Sequence, residues 1–205
     1  EFRRVLFRSG NIGAGKTTFL EALKQKFESR DDVVILTEPV DEWMKIKDIN
    51  DESVLEKFYK DPIQYSFMFQ VMVFQTIVEQ LKTALDNPLL KTIICERSIA
   101  SALNVFTKIL HDEGNITNME YKVYTNFYTK YVTETFYPDE IIYLDVPVDV
   151  CYDRIIDRQR DGESAIDLAY LEKCAKYYDD WFAKEKNIKI TRVLESNFSI
   201  DDIVL

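Results

Sequence analysis

A glycine-rich run of eight residues constrains the fold of this chain more than any other sequence feature. Residues 10–17 read GNIGAGKT, fit the pattern G-x-x-x-x-G-K-[ST] and hold three of the five glycines in the chain. An apolar run precedes them, and a helical pattern begins near Lys16. Glycines allow the backbone angles that turn successive N–H groups toward one point. A loop of this kind lies between a strand and the start of a helix. The run therefore predicts an α/β fold with an anion site at a helix N-terminus.

Phosphate groups are the anions that a loop of this kind binds. The helix dipole attracts negative charge. The lysine would reach the β- and γ-phosphates of a nucleoside triphosphate, and the adjacent threonine would reach Mg²⁺. The residues expected to hold ATP or its metal ion here are Gly10, Asn11, Ile12, Gly13, Ala14, Gly15, Lys16, Thr17 and Thr18. The motif alone does not identify what receives the phosphoryl group.

Short β-branched runs alternate with longer helical patterns. The predicted strands are Val5–Phe7, Val33–Leu36, Thr92–Cys95, Glu140–Val146 and Ile188–Leu194. The predicted helices lie near 16–29, 51–60, 64–86, 98–111, 117–136, 148–159 and 166–185. Such alternation predicts a five-stranded parallel sheet covered by helices. No Gly/Ser linker or repeat divides the 205 residues, so we expect a single domain over 1–205.

Net charge and apolar patterning restrict the partners. The chain carries a formal charge of −10, which opposes binding to nucleic acid or to an anionic membrane surface. Its longest apolar-rich stretch, Tyr65 to Val78, is too short to span a bilayer. We therefore expect no nucleic-acid partner and no membrane partner.

Cysteine and histidine usage argues against a disulfide scaffold and a zinc site. Cys95, Cys151 and Cys174 form no C-x-x-C pair, and His111 is the only histidine. This pattern suits a reducing compartment and predicts a cytoplasmic protein. Because the first methionine is Met44, a targeting segment and an organellar location stay open.

The first nine residues differ in character from the rest. The run EFRRVLFRS carries three arginines in an acidic chain. We interpret residues 1–9 as non-native, and we expect them to weaken the first strand.

Two carboxylates follow predicted strands. Glu38 comes after Val33–Leu36, Glu96 comes after Thr92–Cys95, and Arg97 is its neighbour. Ligands of parallel sheets bind beyond the carboxyl ends of the strands. Glu38 would accept a proton from an attacking hydroxyl, Glu96 would hold Mg²⁺, and Arg97 would bind phosphoryl charge or steer Glu38. The alternative is that these acids only complement helix dipoles.

Three arginines fall within seven residues of the C-terminal third, namely Arg154, Arg158 and Arg160. Guanidinium groups match phosphoryl oxygens, so a mobile arginine segment can close over bound phosphates. The alternative is a solvated helix face paired with Asp153 and Asp157.

In order along the chain, these features resemble the deoxyribonucleoside kinase family, from Gly10 to about Trp181. The phosphate loop at 10–18, the E-P-V-x-x-W run from Glu38 to Trp43, the E-R-S motif at 96–98 and the arginine segment from Arg154 to Glu163 all look like family motifs. Tyr59 and Gln70 look like its sugar- and base-reading pair. One departure is Ser9, which stands where the family usually carries glutamate before the first glycine.

The resemblance implies a P-loop kinase three-layer fold with an arginine-rich lid, and ATP- and Mg²⁺-dependent phosphorylation of a deoxynucleoside 5′-hydroxyl. Glu38 would be the base, with Lys16 and Arg97 completing the catalytic set. Phe69 and Phe106 suit stacking on a base. Residues implied or expected to contact the nucleoside are Glu38, Trp43, Tyr59, Phe69, Gln70, Val73, Arg97, Ala102, Phe106 and Glu163.

Base preference is predicted from two apolar positions. Family members that favour deoxycytidine or purines commonly carry arginine and aspartate where this chain has Val73 and Ala102. Without that charged pair, we expect thymidine first and deoxycytidine close behind, with dTTP as feedback inhibitor. The alternative is that Ala102 leaves room and the enzyme accepts bases broadly. The family resemblance also implies a homodimer, in which two helices of each subunit pack together.

Three other functions are compatible with a phosphate loop. A thymidylate-type nucleoside monophosphate kinase is disfavoured by the E-R-S and E-P-V-x-x-W patterns. A non-catalytic structural subunit on the same fold is disfavoured by the intact Lys16, Glu38 and Arg97. A GTPase switch is disfavoured because no N-K-x-D segment occurs.

Overall fold

The computed structural model describes residues 4–133, 136–159 and 166–194. Five parallel strands form one sheet in the order β2-β3-β1-β4-β5, which confirms the predicted α/β architecture. The strands are β1 (Arg4–Gly10), β2 (Val33–Leu36), β3 (Thr92–Cys95), β4 (Glu140–Asp145) and β5 (Lys189–Leu194).

Helices connect the strands and cover the sheet. They are α1 (Lys16–Lys26), α2 (Val40–Lys45), α3 (Val54–Lys60), α4 (Pro62–Asp86), α5 (Ile99–Ser101), α6 (Lys108–Asp112), α7 (Asn118–Tyr131), α8 (Val148–Arg158) and α9 (Leu168–Phe182). A π-helical segment, Ala102–Thr107, joins α5 to α6. None of the helices in the described ranges combines the length and the apolar character needed to cross a bilayer.

Among the helices, three elements differ most from the sequence predictions. Helix α2 has only six residues, too few for a periodic pattern to reveal it. The helix predicted over 117–136 ends at Tyr131, because Val132 adopts an extended conformation. The helix predicted over 98–111 contains the π-helical segment, which apolar spacing does not distinguish from an α-helix.

Strand β1 divides the core into two layers. Val5 and Phe7 point into a cluster with α4 and α9, whereas Leu6 points into a cluster with α1 and α8. This alternation follows from the two-residue period of a strand. Because β1 pairs with β3 on one side and β4 on the other, its carboxyl end lies at the centre of the sheet. The glycine-rich loop therefore begins at the middle of that edge.

Arg8 is a buried cation within this central strand. It pairs with Ile142 of β4 and is fully buried, and no residue in the described ranges hydrogen-bonds to its guanidinium. The nearest carboxylate oxygen, Glu96 Oε1, lies 4.0 Å away, and the guanidinium sits 5.2 Å from the Phe19 ring centre. Burial lowers the pKa of Arg8 to about 9 despite the nearby carboxylates. Sheet pairing thus tolerates Arg8 at an energetic cost.

Replacing Arg8 with methionine should stabilise the protein. An apolar side chain of similar length removes a buried cation that, among the described residues, has no hydrogen-bond partner and only a 4.0 Å contact with Glu96, so the desolvation cost of that charge is lost. Urea denaturation measures the change as a higher midpoint at constant m-value. Arg4→Met is the matched control, because Arg4 lies on the same strand but is partly exposed and paired with Glu140. Equal or lower stability of Arg8→Met would show that the charge is compensated.

Candidate functional site

The glycine-rich loop has the backbone geometry of a phosphate cradle. Gly13 and Gly15 both have φ of 81°, in the left-handed region that favours glycine. A Cβ atom at Gly13 would lie 2.2 Å from the carbonyl oxygen of Cys151, so no larger residue fits. Gly15 precedes α1, and no described side chain caps the first N–H groups of that helix. Those groups therefore face the cavity above the loop and can bind an anion.

Lys16 folds back onto its own loop. Its Nζ atom donates hydrogen bonds to the carbonyl oxygens of Gly10, at 3.2 Å, and Asn11, at 2.8 Å. Burial, followed by repulsion from Arg8, lowers the pKa of Lys16 to about 8. A phosphate group at the loop would supply the negative charge that the buried ammonium lacks.

Some residues of the glycine-rich loop line the cavity, and others lie beneath it and hold the loop in place. Gly10 and Asn11 lie beneath the cavity, where the Asn11 side chain donates a 2.8 Å hydrogen bond to the Leu171 carbonyl and ties the loop to α9. The predicted loop residues that line the cavity are Ile12, Gly13, Ala14, Gly15, Lys16, Thr17 and Thr18. Their roles in binding a nucleotide stay predictions.

The charged residues after β2 and β3 lie together. An oxygen of Glu38 makes a close ion pair with Nε of Arg97, and the backbone N–H of Glu38 donates to Glu96 Oε2 at 3.1 Å. Burial would lower the pKa of Arg97, but the Glu38 carboxylate and weaker negative neighbours outweigh burial and raise it. Arg97 thus stays charged and can orient the Glu38 carboxylate, one of the two roles that the sequence left open.

One cavity of about 1060 Å³ holds both groups of residues. Its wall includes Lys16 and Thr17 at one end, Glu38, Glu96 and Arg97 in the middle, and side chains of α3 and α4 at the other end. The volume is sufficient for two small ligands that meet near the carboxylates.

Aromatic side chains form the far end of the cavity. The rings of Phe58 and Phe69 stack with centres 4.6 Å apart, and Trp43 meets Phe69 edge-on at 5.5 Å. Trp43 donates through Nε1 to Thr76 Oγ1 at 3.3 Å, which holds the indole in place. One face of Phe106 lies against the Arg97 guanidinium, at 4.2 Å. Phe58 could not be predicted from the sequence, since a single aromatic residue in a short helix carries no distinguishing signal.

The predicted sugar- and base-reading residues occupy this same end. Tyr59 and Gln70 line the cavity, and Gln70 is only 2% exposed. Val73 and Ala102 are fully buried and are not among the lining residues, so they shape the wall from behind. Their contribution to base selection stays a prediction.

Part of the arginine segment faces the phosphate loop. Arg154 and Arg158 line the cavity, and a Cβ atom at Gly15 would lie 3.8 Å from Nη1 of Arg154. Arg160 and Glu163 lie outside the described residues. Arg154 and Arg158 are thus placed to meet the phosphates that the loop would hold.

Comparison with known proteins identifies the family. The model of the deoxynucleoside kinase family matches residues 8–203. A probable deoxycytidine kinase of Fowlpox virus is 34% identical over 92% of this chain and 76% of its own length. The mitochondrial thymidine kinase 2 of Homo sapiens is 30% identical over 90% of this chain and 66% of its own length, and the mitochondrial deoxyguanosine kinase of Xenopus laevis is 29% identical over 94% and 80%. The chain therefore belongs to the deoxynucleoside kinase family, whose members are ATP-dependent phosphotransferases.

Proposed function

We propose that this enzyme phosphorylates the 5′-hydroxyl of pyrimidine deoxynucleosides, thymidine first and deoxycytidine close behind, with ATP as donor and Mg²⁺ as cofactor. The observation that carries the proposal is the single cavity that joins Lys16, the Glu38–Arg97 pair and Gln70. In the reaction, the hydroxyl oxygen bonds to the γ-phosphorus as the bond to the ADP oxygen breaks. Glu38 accepts the hydroxyl proton.

The residues near the phosphate loop suit Mg²⁺. The described residues contain no cluster of three or more His, Cys, Asp or Glu side chains that could hold a metal alone. Mg²⁺ in phosphotransferases usually keeps water and binds one or two protein oxygens together with substrate phosphates. The Thr17 hydroxyl and the Glu96 carboxylate, both on the cavity wall, are a donor set of this kind. Bound Mg²⁺ would neutralise phosphate charge.

Recognition of a pyrimidine is supported by Gln70 and its apolar surroundings. A side-chain amide can pair with N3 and O4 of thymine or, after a flip, with N3 and N4 of cytosine. The neutral Val73 and Ala102 supply no charge for the exocyclic groups of a purine. The competing possibility, a broad enzyme, follows from the weak discrimination of apolar pockets.

Steady-state kinetics with four nucleosides tests the preference. We expect kcat/KM to fall in the order thymidine, deoxycytidine, then the two purine deoxynucleosides, in one buffer with ATP and Mg²⁺. A coupled assay for ADP measures each value, and thymidylate as a fifth acceptor tests for monophosphate kinase activity. A purine nucleoside at the top of the ranking would contradict the pyrimidine preference, and thymidylate at the top would contradict the acceptor class.

We propose dTTP as the feedback inhibitor. Because one cavity runs from the phosphate loop to Gln70, a triphosphate with its base at the acceptor end could place its phosphates on the loop. Such a ligand would compete with both substrates.

We also propose a homodimer through α4 and α7. These helices contact each other and leave apolar side chains exposed, including Met68 on α4 and Met119 and Val123 on α7. Light scattering at micromolar concentration should give about twice the 24.2 kDa chain mass. Val123→Glu should shift the mass toward the monomer, and a monomeric unaltered protein would contradict the proposal.

A further inference from the structure

A chain of buried polar groups lies behind the base-reading end of the cavity. Thr107 is the last residue of the π-helical segment and is fully buried. Its Oγ1 atom lies 3.4 Å from Oε1 of Gln70, a long but buried hydrogen bond. Thr107 is not among the residues that line the cavity, whereas Gln70 is. The threonine hydroxyl therefore contacts the glutamine amide from outside the cavity.

A second buried hydroxyl lies next to Thr107. Tyr124 on α7 is fully buried, and within the described ranges its hydroxyl has no partner at ordinary hydrogen-bond geometry. Burial raises the pKa of Tyr124 to about 12, and the nearby Thr107 hydroxyl acts in the opposite direction. A buried phenol proton needs an acceptor, and the Thr107 hydroxyl is the side chain whose hydrogen-bonding interaction reaches Tyr124.

The donor and acceptor roles in the hydrogen bonds between Tyr124, Thr107 and Gln70 follow from counting protons. A hydroxyl carries one proton. If the Tyr124 proton goes to Thr107 Oγ1, the Thr107 proton is left for Gln70 Oε1. Flipping the Gln70 amide would then turn its N–H groups toward Thr107, whose hydroxyl would have to accept a hydrogen bond and would lose the one that it donates to Gln70 Oε1. These hydrogen bonds thus favour one of the two orientations of the Gln70 amide.

An amide with a fixed orientation distinguishes the two pyrimidines. Thymine offers a donor at N3 and an acceptor at O4, whereas cytosine offers an acceptor at N3 and a donor at N4, so each base needs the opposite orientation. We propose that Thr107, held by Tyr124, is a positioning residue that fixes the Gln70 amide and so sets the preference between thymine and cytosine. This inference rests on the proposed function and adds a residue to it.

The test is the ratio of kcat/KM for thymidine to that for deoxycytidine. Thr107→Val keeps the side-chain shape and removes the hydroxyl, so the ratio should move toward one, by at most about tenfold, the usual effect of one lost buried hydrogen bond. Thr107→Ser restores a hydroxyl and should keep the original ratio. Tyr124→Phe should move the ratio in the same direction as Thr107→Val, by a smaller factor. Thr129→Val removes an exposed hydroxyl on α7 and is the control.

Four outcomes of these measurements support or overturn the positioning role of Thr107 or the proposed function. A ratio that collapses in Thr107→Val and is kept in Thr107→Ser supports the positioning role. An unchanged ratio in Thr107→Val overturns that role while pyrimidine kinase activity stands. If Thr107→Val does not fold, Tyr124→Phe decides by the same ratio. If the unaltered enzyme phosphorylates neither pyrimidine, the proposed function itself fails.

Discussion

Replacing Lys16 with alanine should lower kcat by about 10³-fold or more. The γ-phosphoryl group gains charge on its oxygens in the transition state, and removing a preorganised charge or donor commonly costs factors of this size. Lys16 is well placed for that role, because its ammonium is buried in the loop that faces the carboxylates. A coupled assay for ADP with saturating ATP and nucleoside measures the effect.

A measurement of thermal stability distinguishes a loss of kcat in Lys16→Ala from misfolding of the variant. The pKa of Lys16 is lowered to about 8, so the folded protein disfavours the charged ammonium while no phosphate is bound. Removing the side chain should therefore leave the melting temperature unchanged or higher. Lys24→Ala, at an exposed position on the same helix, should leave both kcat and stability unchanged. An undiminished kcat in Lys16→Ala would contradict the assignment of the phosphate loop.

Most of the fold could be predicted because its signals are local. The loop at 10–17 needs a strand before it and a helix after it, and the β-branched runs at Val33–Leu36 and Thr92–Cys95 match β2 and β3 at both ends. Strand β1 is longer than the predicted Val5–Phe7, since pairing with β4 continues through Arg8 and Ser9 to Gly10, beyond the last pair with β3 at Phe7. Polar residues inside a central strand break the apolar pattern by which a strand is recognised in the sequence. The length of β1 therefore depends on its pairing with neighbouring strands.

The candidate site was partly predictable for a similar reason. Residues that follow strands, such as Glu38 and Glu96, share one edge of the sheet by topology, so their proximity could be expected. Phe58 and Thr107 could not be found, since their contacts depend on how α3, α4 and the π-helical segment pack. Helix packing is decided by tertiary shape, which the spacing of apolar residues does not encode.

The role of Glu38 depends on its pairing with Arg97. A carboxylate held by a guanidinium keeps one orientation, so its free oxygen can face an incoming hydroxyl without reorganisation. Proton acceptance occurs as the new oxygen–phosphorus bond forms, so the benefit belongs to the transition state and not to nucleoside binding.

Glu38→Gln should therefore lower kcat by about 10²- to 10⁴-fold, the usual contribution of a general base, while KM for the nucleoside changes little. Glutamine keeps the shape and most of the hydrogen bonds of the side chain but cannot accept the proton. Glu42→Gln makes the same chemical change at an exposed position on α2 and should leave kcat unaltered. Measuring both constants with the preferred nucleoside is decisive. A raised KM with undiminished kcat would make Glu38 a binding residue, and the base would have to be sought among the other cavity-lining groups.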